Sequence, residues 1–119
     1  MQLDHLIIND LKPIDITNTI GDVKLMFSQL SYTHIPIKNN EDFVGCISET
    51  DAHCFESDIV LSDITYSIES FFVRENNTWL DVLEGFAQNN SNVMPILDLN
   101  NHYIGYYELN DVIGLFSET

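Results

Sequence analysis

The chain repeats itself. Thr19, Val23, Phe27 and Pro36 return as Thr78, Val82, Phe86 and Pro95, each pair 59 positions apart, and Gly45 and Asp51 return as Gly105 and Asp111 at a spacing of 60. One extra residue between the proline and the glycine of the second copy accounts for the change. A unit of this size hides too little apolar surface to be stable by itself, so two units are expected to fold together. Two similar units would pack about a pseudo-twofold axis, and the clefts related by that axis are the natural places for ligands.

The local pattern gives each copy the same order of elements. Thr19 reads as an N-cap with Asp22 in the first turn, and Ile20, Val23, Phe27 and Leu30 then form one apolar helical stripe. His34 to Ile37 has strand character, and Pro36 within it predicts a strand end or an edge position. After a polar turn at Lys38 to Asp42, Phe43 to Ser48 reads as a buried strand and Glu49 to Phe55 as a short helix. In the second copy, Phe71 to Val73 is a short strand, and Thr78 caps a helix carrying Trp79, Val82, Leu83 and Phe86. Strands at Val93 to Leu97 and His102 to Tyr107 flank a hairpin-type turn, and Asn110 to Phe116 forms a last helix. Glu56 to Ser70 is a linker whose Ile59, Leu61 and Ile64 should pack on the module. Leu3 to Leu11 should pack against the second unit or a partner subunit. The expected division is 1–63, the first repeat with its N-terminal segment, and 64–119, the second repeat.

Charge narrows the function. Four Lys plus Arg against 19 Asp plus Glu give a net charge of −15 and a pI near 4.1. Such a surface repels phosphate backbones and anionic lipid, so neither nucleic acid nor a membrane is an expected partner. Met1 to Asp10 holds Asp4 and Asp10 and no Lys or Arg, unlike a secretory signal, and no apolar run is long enough for a membrane span. A cytoplasmic protein is therefore expected. Cys46 and Cys54 lie eight apart without a second ligand pair, and the four His are scattered, so no metal site is expected. No G-x-S-x-G, P-loop or G-x-G-x-x-G occurs, and nothing pairs a nucleophile with a base, so no catalytic residue is assigned and an enzyme is not expected.

Two motifs, in order and twice at one period, carry a family resemblance. They are His34-Ile35-Pro36-Ile37 with Gly45-Cys46-Ile47-Ser48-Glu49-Thr50-Asp51, and Val93-Met94-Pro95-Ile96 with Gly105-Tyr106-Tyr107-Glu108-Leu109-Asn110-Asp111. From about Leu11 to Phe116 the chain resembles a tandem pair of CBS domains, the Bateman module. The resemblance implies an α/β (α+β) fold of two β-α-β-β-α repeats and a stand-alone regulatory or sensor module. It further implies an adenosine-containing ligand, either AMP, ADP, ATP or S-adenosylmethionine, with no cofactor required. Members carry Ser or Thr three residues before the Asp, and the Asp holds the ribose hydroxyls, since a carboxylate accepts two hydrogen bonds from a cis-diol.

The two copies differ at the position that matters. The first has Ser48 and Asp51, and the resemblance places them with His34 as a phosphate contact and Ile35 and Ile37 as an apolar wall for adenine. Alternatively, Ser48 and Asp51 simply cap the following helix. The second copy, with Met94, Ile96, Glu108 and Asp111, has a carboxylate where the hydroxyl belongs, which would repel a phosphate. It is read as a degenerate site. With only Lys12, Lys24, Lys38 and Arg74 as cations, a triphosphate would be poorly neutralised. Two other functions stay open: a divalent-cation (magnesium) sensor using Asp58, Asp63, Glu69, Glu75, Glu108 and Asp111, and a ligand-free interaction module. A homodimer and an unidentified protein target are the expected partners.

Overall fold

A computed structural model describes residues 2–117. They form two compact units, one of residues 13–70 and one of residues 2–12 with 71–117. Each unit holds one mixed three-stranded sheet with helices. The division expected at 63/64 differs from this one. The last turn of the linker stays with the first repeat, and the N-terminal segment belongs to the second.

In the unit of residues 13–70, β1 (Ile14–Asp15) runs parallel to β2 (His34–Asn39), which pairs antiparallel with β3 (Asp42–Ser48). Helix α1 (Ile20–Gln29) begins at Thr19, whose hydroxyl accepts from the Asp22 amide while the Asp22 carboxylate accepts from the Thr19 amide. This reciprocal cap fixes the helix start and turns its apolar stripe onto the sheet. Ile20, Val23 and Phe27 join Ile35, Ile37, Ile47, Leu61 and Ile64 in one core cluster. Burying each aliphatic side chain of this kind stabilises by roughly 1.5–3 kcal/mol. Helix α2 (Glu49–Ala52) stops short of Phe55, because Cys54 and Phe55 donate to carbonyls three residues back and tighten the chain out of the helix. Leu61–Ser67 forms 3₁₀ turns broken at Ile64, and Leu61 and Ile64 are buried as expected of the linker.

The other unit repeats the plan. Here β4 (Val73–Arg74) runs parallel to β5 (Val93–Leu97), which pairs antiparallel with β6 (Tyr103–Glu108). Helix α3 (Trp79–Asn89) has the same reciprocal cap from Thr78 and Asp81, and it ends on Asn90 in the left-handed conformation. Helix α4 (Leu109–Ser117) follows β6 directly. The strand expected at Phe71–Val73 lies slightly later, because its parallel register pairs Val73 with Ile96 and Arg74 with Leu97.

Both prolines sit in the central strand of their sheets, not at an edge. The hydrogen bonding explains why they are tolerated there. Cys46, opposite Pro36, exchanges both backbone hydrogen bonds with Glu69 at 2.8 Å, so this pair turns its polar groups outward. The Pro36 nitrogen therefore faces the β1 side, where pairing begins only at Ile37 with Ile14. Pro95 repeats the arrangement: its partner Tyr106 exchanges bonds with Ile8, and β4 pairing begins at Ile96. Neither proline is asked for the hydrogen bond it lacks.

The repeated glycines answer to the same bridges. Gly45 and Gly105 have φ of +155° and +154°, and a Cβ on either would lie 2.5 Å from the carbonyl oxygen of Glu69 or Ile8. Gly114, by contrast, has nothing within 4 Å of that position. Gly45→Ala and Gly105→Ala are each expected to destabilise by about 2–3 kcal/mol, from the unfavourable φ plus the collision with a backbone atom. Gly114→Ala should stabilise α4 by about 0.5–1 kcal/mol. Urea unfolding of the three variants checks this, and equal effects at all three would contradict the bridging role.

Candidate functional site

Strand register decides which of the candidate residues can act together. Cross-strand partners share a face, and successive residues alternate. Ile35 opposite Ile47, and Ile37 opposite Gly45, lie on the face covered by α1. His34 opposite Ser48, and Pro36 opposite Cys46, lie on the other. His34, Ser48 and Asp51 are thus gathered on one side of the sheet, while Ile35 and Ile37 are core residues with no exposed surface. The grouping of all five around one ligand ignores this alternation, and the structure separates it into two faces.

Helix α2 is fastened beside His34. The Glu49 amide donates to the Thr33 carbonyl at 3.0 Å, and the Ser48 hydroxyl accepts from the Asp51 amide at 3.0 Å. Ser48 therefore does cap the helix. Its hydroxyl proton is still available to donate, and the Asp51 carboxylate has no hydrogen-bond or ion-pair partner among the described residues. His34 is buried, with Nδ1 2.8 Å from the Thr33 hydroxyl and Nε2 3.5 Å from a carboxylate oxygen of Glu69. Burial holds its pKa below the ordinary imidazole value, while Glu69 and then Asp51 pull it upward without overcoming that effect. Burial first, and then Glu69, pushes the Cys46 thiol well up, so it stays protonated and unreactive.

In the sequence Glu69 is one of six acids open to a divalent-cation role, with nothing to link it to His34. Its place beside His34 follows from the backbone bridge to Cys46, a contact that no local pattern announces.

In the second repeat, Val93 opposite Glu108 and Pro95 opposite Tyr106 share one face, with Met94 and Ile96 on the face toward α3. Met94 fits against Gly85 of that helix, where a Cβ would lie 2.7 Å from its methyl carbon. Again the apolar and acidic candidates are on opposite faces. Burial raises the Glu108 pKa, and the charges of Asp111 and Asp10 add to the shift. Asp10 also accepts from the Tyr106 hydroxyl at 2.9 Å. Neither Asp10 nor Tyr106 stood out in the sequence, since they lie 96 positions apart.

The basic residues are largely engaged. Lys24 donates to the Phe55 carbonyl at 2.8 Å, Arg74 donates to the Asp98 carbonyl and lies over the Phe72 ring, and Lys38 lies near Asp15. Among the described residues, no three His, Cys, Asp or Glu side chains gather where they could hold a metal ion. No helix among them is long and apolar enough to cross a membrane.

No protein-family model matches the sequence. The chain is 26% identical over 117 residues to inosine-5'-monophosphate dehydrogenase of Methanocaldococcus jannaschii, a match covering 92% of this chain but only 22% of that enzyme's length. Among solved structures, it resembles a CBS domain pair/ACT domain protein of Thermotoga maritima at a TM-score of 0.84 and 17% identity, covering 99% of this chain and 98% of the other. It resembles CBSX2 in complex with AMP at 0.78 and 14% identity, covering 98% and 96%. It also resembles the soluble part of a magnesium transporter at 0.79 and 17% identity, covering 95% of this chain and 46% of the other. The fold is that of a CBS-domain pair.

The lowered His34 pKa fixes the sign of a pH effect. The unfolded chain takes up this proton more readily, so the His34 contribution to stability is complete above about pH 6.5 and is lost as pH falls toward the folded value. In an NMR titration His34 should show a midpoint below 6.5. His34→Gln should flatten the fall in unfolding free energy as pH drops below about 6.5. A midpoint at or above the ordinary value would contradict the burial-dominated reading.

Proposed function

We propose that the chain is a non-enzymatic regulatory module that binds an adenosine-containing ligand at the Ser48–Asp51 site. The observation that carries this is the free Asp51 carboxylate standing one helical turn from the Ser48 hydroxyl, in a protein whose fold is shared with a CBS protein solved with AMP. Asp51 would accept from the ribose diol, and Ser48 would donate to a phosphate oxygen while still accepting from the Asp51 amide. His34, kept neutral by burial, would supply polarity rather than charge. With Lys24, Lys38 and Arg74 engaged locally, the site suits adenosine monophosphate or a cationic adenosyl compound such as S-adenosylmethionine better than a triphosphate.

The Glu108–Asp111 position is the poorer site, because Asp10, Glu108 and Asp111 already repel one another there. The magnesium-transporter likeness keeps a cation sensor as a second reading, though the acids of this chain do not converge on a metal site among the described residues. A homodimer is part of the proposal. Leu25 on α1, Leu80 on α3 and Ile113 on α4 are exposed apolar side chains on helices, the kind of surface that association covers.

A thermal-shift panel of AMP, ADP, ATP and S-adenosylmethionine tests the ligand assignment. At 100 times its Kd, a ligand should stabilise by about 2.7 kcal/mol. Asp51→Ala should abolish the shift, and Glu108→Ala should leave it in place. An unchanged Tm at millimolar ligand across the panel would sink the nucleotide reading and leave the ligand-free interaction module. Sedimentation velocity at micromolar protein, with Leu25→Glu, Leu80→Glu and Ile113→Glu alongside, tests the dimer.

A further inference from the structure

Glu69 is a further acid beside the Ser48–Asp51 site, and its backbone fixes it there. Both of its backbone hydrogen bonds go to Cys46 at 2.8 Å, and its carbonyl oxygen would lie 2.5 Å from a Cβ on Gly45. The Glu69 carboxylate reaches Nε2 of His34 at 3.5 Å. His34 is the cross-strand partner of Ser48, so the carboxylate stands on the side of the sheet that carries the Ser48 hydroxyl. The Glu69 side chain is 46% exposed, which leaves its oxygens within reach of a ligand.

Both ring nitrogens of His34 already face an oxygen. Nδ1 is 2.8 Å from the Thr33 hydroxyl, and Nε2 faces the carboxylate, which only accepts when ionised. A neutral imidazole has one N–H; the carboxylate draws it to Nε2, and Nδ1 then accepts from Thr33. His34 therefore has no spare proton for a phosphate oxygen. Burial lowers its pKa, and the two charges that act on it, Glu69 and then Asp51, are both negative. What Ser48, Asp51, His34 and Glu69 together offer a ligand is one hydroxyl donor and two carboxylates.

From this arrangement we propose that Glu69 sets the charge specificity of the site, favouring a nucleoside whose 5′ substituent is neutral or cationic over one that ends in a phosphate. The inference rests on the adenosine reading above and narrows it. A phosphate beside Ser48 would gain one donor while approaching a fixed negative group, and that repulsion grows as the ligand excludes water. A sulfonium or ammonium group would instead find a carboxylate whose one side-chain partner among the described residues is a neutral ring.

Isothermal titration calorimetry of the full chain with adenosine, AMP and S-adenosylmethionine, at constant ionic strength, tests this. The wild-type chain should bind adenosine and S-adenosylmethionine about three- to fivefold more tightly than AMP. Glu69→Gln leaves the backbone bridge and an acceptor for the His34 N–H. It should tighten AMP about three- to fivefold, weaken S-adenosylmethionine by a similar factor and leave adenosine unchanged. A variant that merely loosened the fold would weaken all three. Asp42→Asn, which removes an exposed charge at the far end of β3, should keep the wild-type order. The proposal is overturned, with the site itself left standing, if AMP binds the wild-type chain as tightly as adenosine. The same holds if Glu69→Gln moves AMP and S-adenosylmethionine in one direction or moves neither. Failure of all three ligands to bind the wild-type chain overturns the adenosine reading, and the charge specificity with it.

Discussion

Each unit is organised by a crossing of two backbones at one glycine. Where Glu69 meets Cys46, and where Ile8 meets Tyr106, the two residues exchange both hydrogen bonds across the outer edge of the sheet. The crossing chain passes so close to Gly45 and Gly105 that no side chain fits. Several other features follow from this single contact. It turns the backbone groups of the opposite proline toward the short parallel strand, which permits proline in a central strand. It covers the exposed edge of β3 and β6, which would otherwise invite pairing with another chain. In the first repeat it also brings the Glu69 carboxylate to His34.

The crossings explain why neither unit is a simple stretch of sequence. The first repeat needs the chain that follows it, through Ile68 and Glu69, and the second needs the chain that precedes the first, through Ile7 and Ile8. The two crossing segments occupy equivalent places but differ in character. Glu69 puts an acid beside a buried histidine, whereas Ile8 does not, and the acid near the second repeat's Glu108 is instead Asp10. Backbone geometry is therefore repeated closely, while the side chains around it have diverged.

What could be read in advance followed from local rules. Thr19 with Asp22, and Thr78, marked both long helices at their first residue, because capping is decided within one turn. Val93 to Leu97 coincided with its strand for a similar reason, being an apolar run bounded by polar turns. The candidate site was legible in part. Ser48 and His34 share a face, with Asp51 one helical turn on, but Ile35 and Ile37, grouped with them through the family resemblance, lie on the opposite face because residues alternate along a strand. Glu69, Asp10 and Tyr106 were out of reach because tertiary crossings bring them in. The N-terminal segment was expected against the second unit or a partner subunit, and the bridge to Tyr106 places it on the second unit.

Electrostatics gives the divergence a direction. In a chain of net charge −15, an anionic ligand is accepted only where negative groups are offset or absent at close range. Near Ser48 the polar groups are a hydroxyl and a histidine that burial keeps neutral, with the Glu69 carboxylate beside that histidine and Asp51 one turn away. Near Glu108, burial first and then the charges of Asp111 and Asp10 raise the Glu108 pKa. The fold depends on the glycine crossings and not on the charged side chains around them, so two copies of one backbone can carry different charged groups without loss of the crossing.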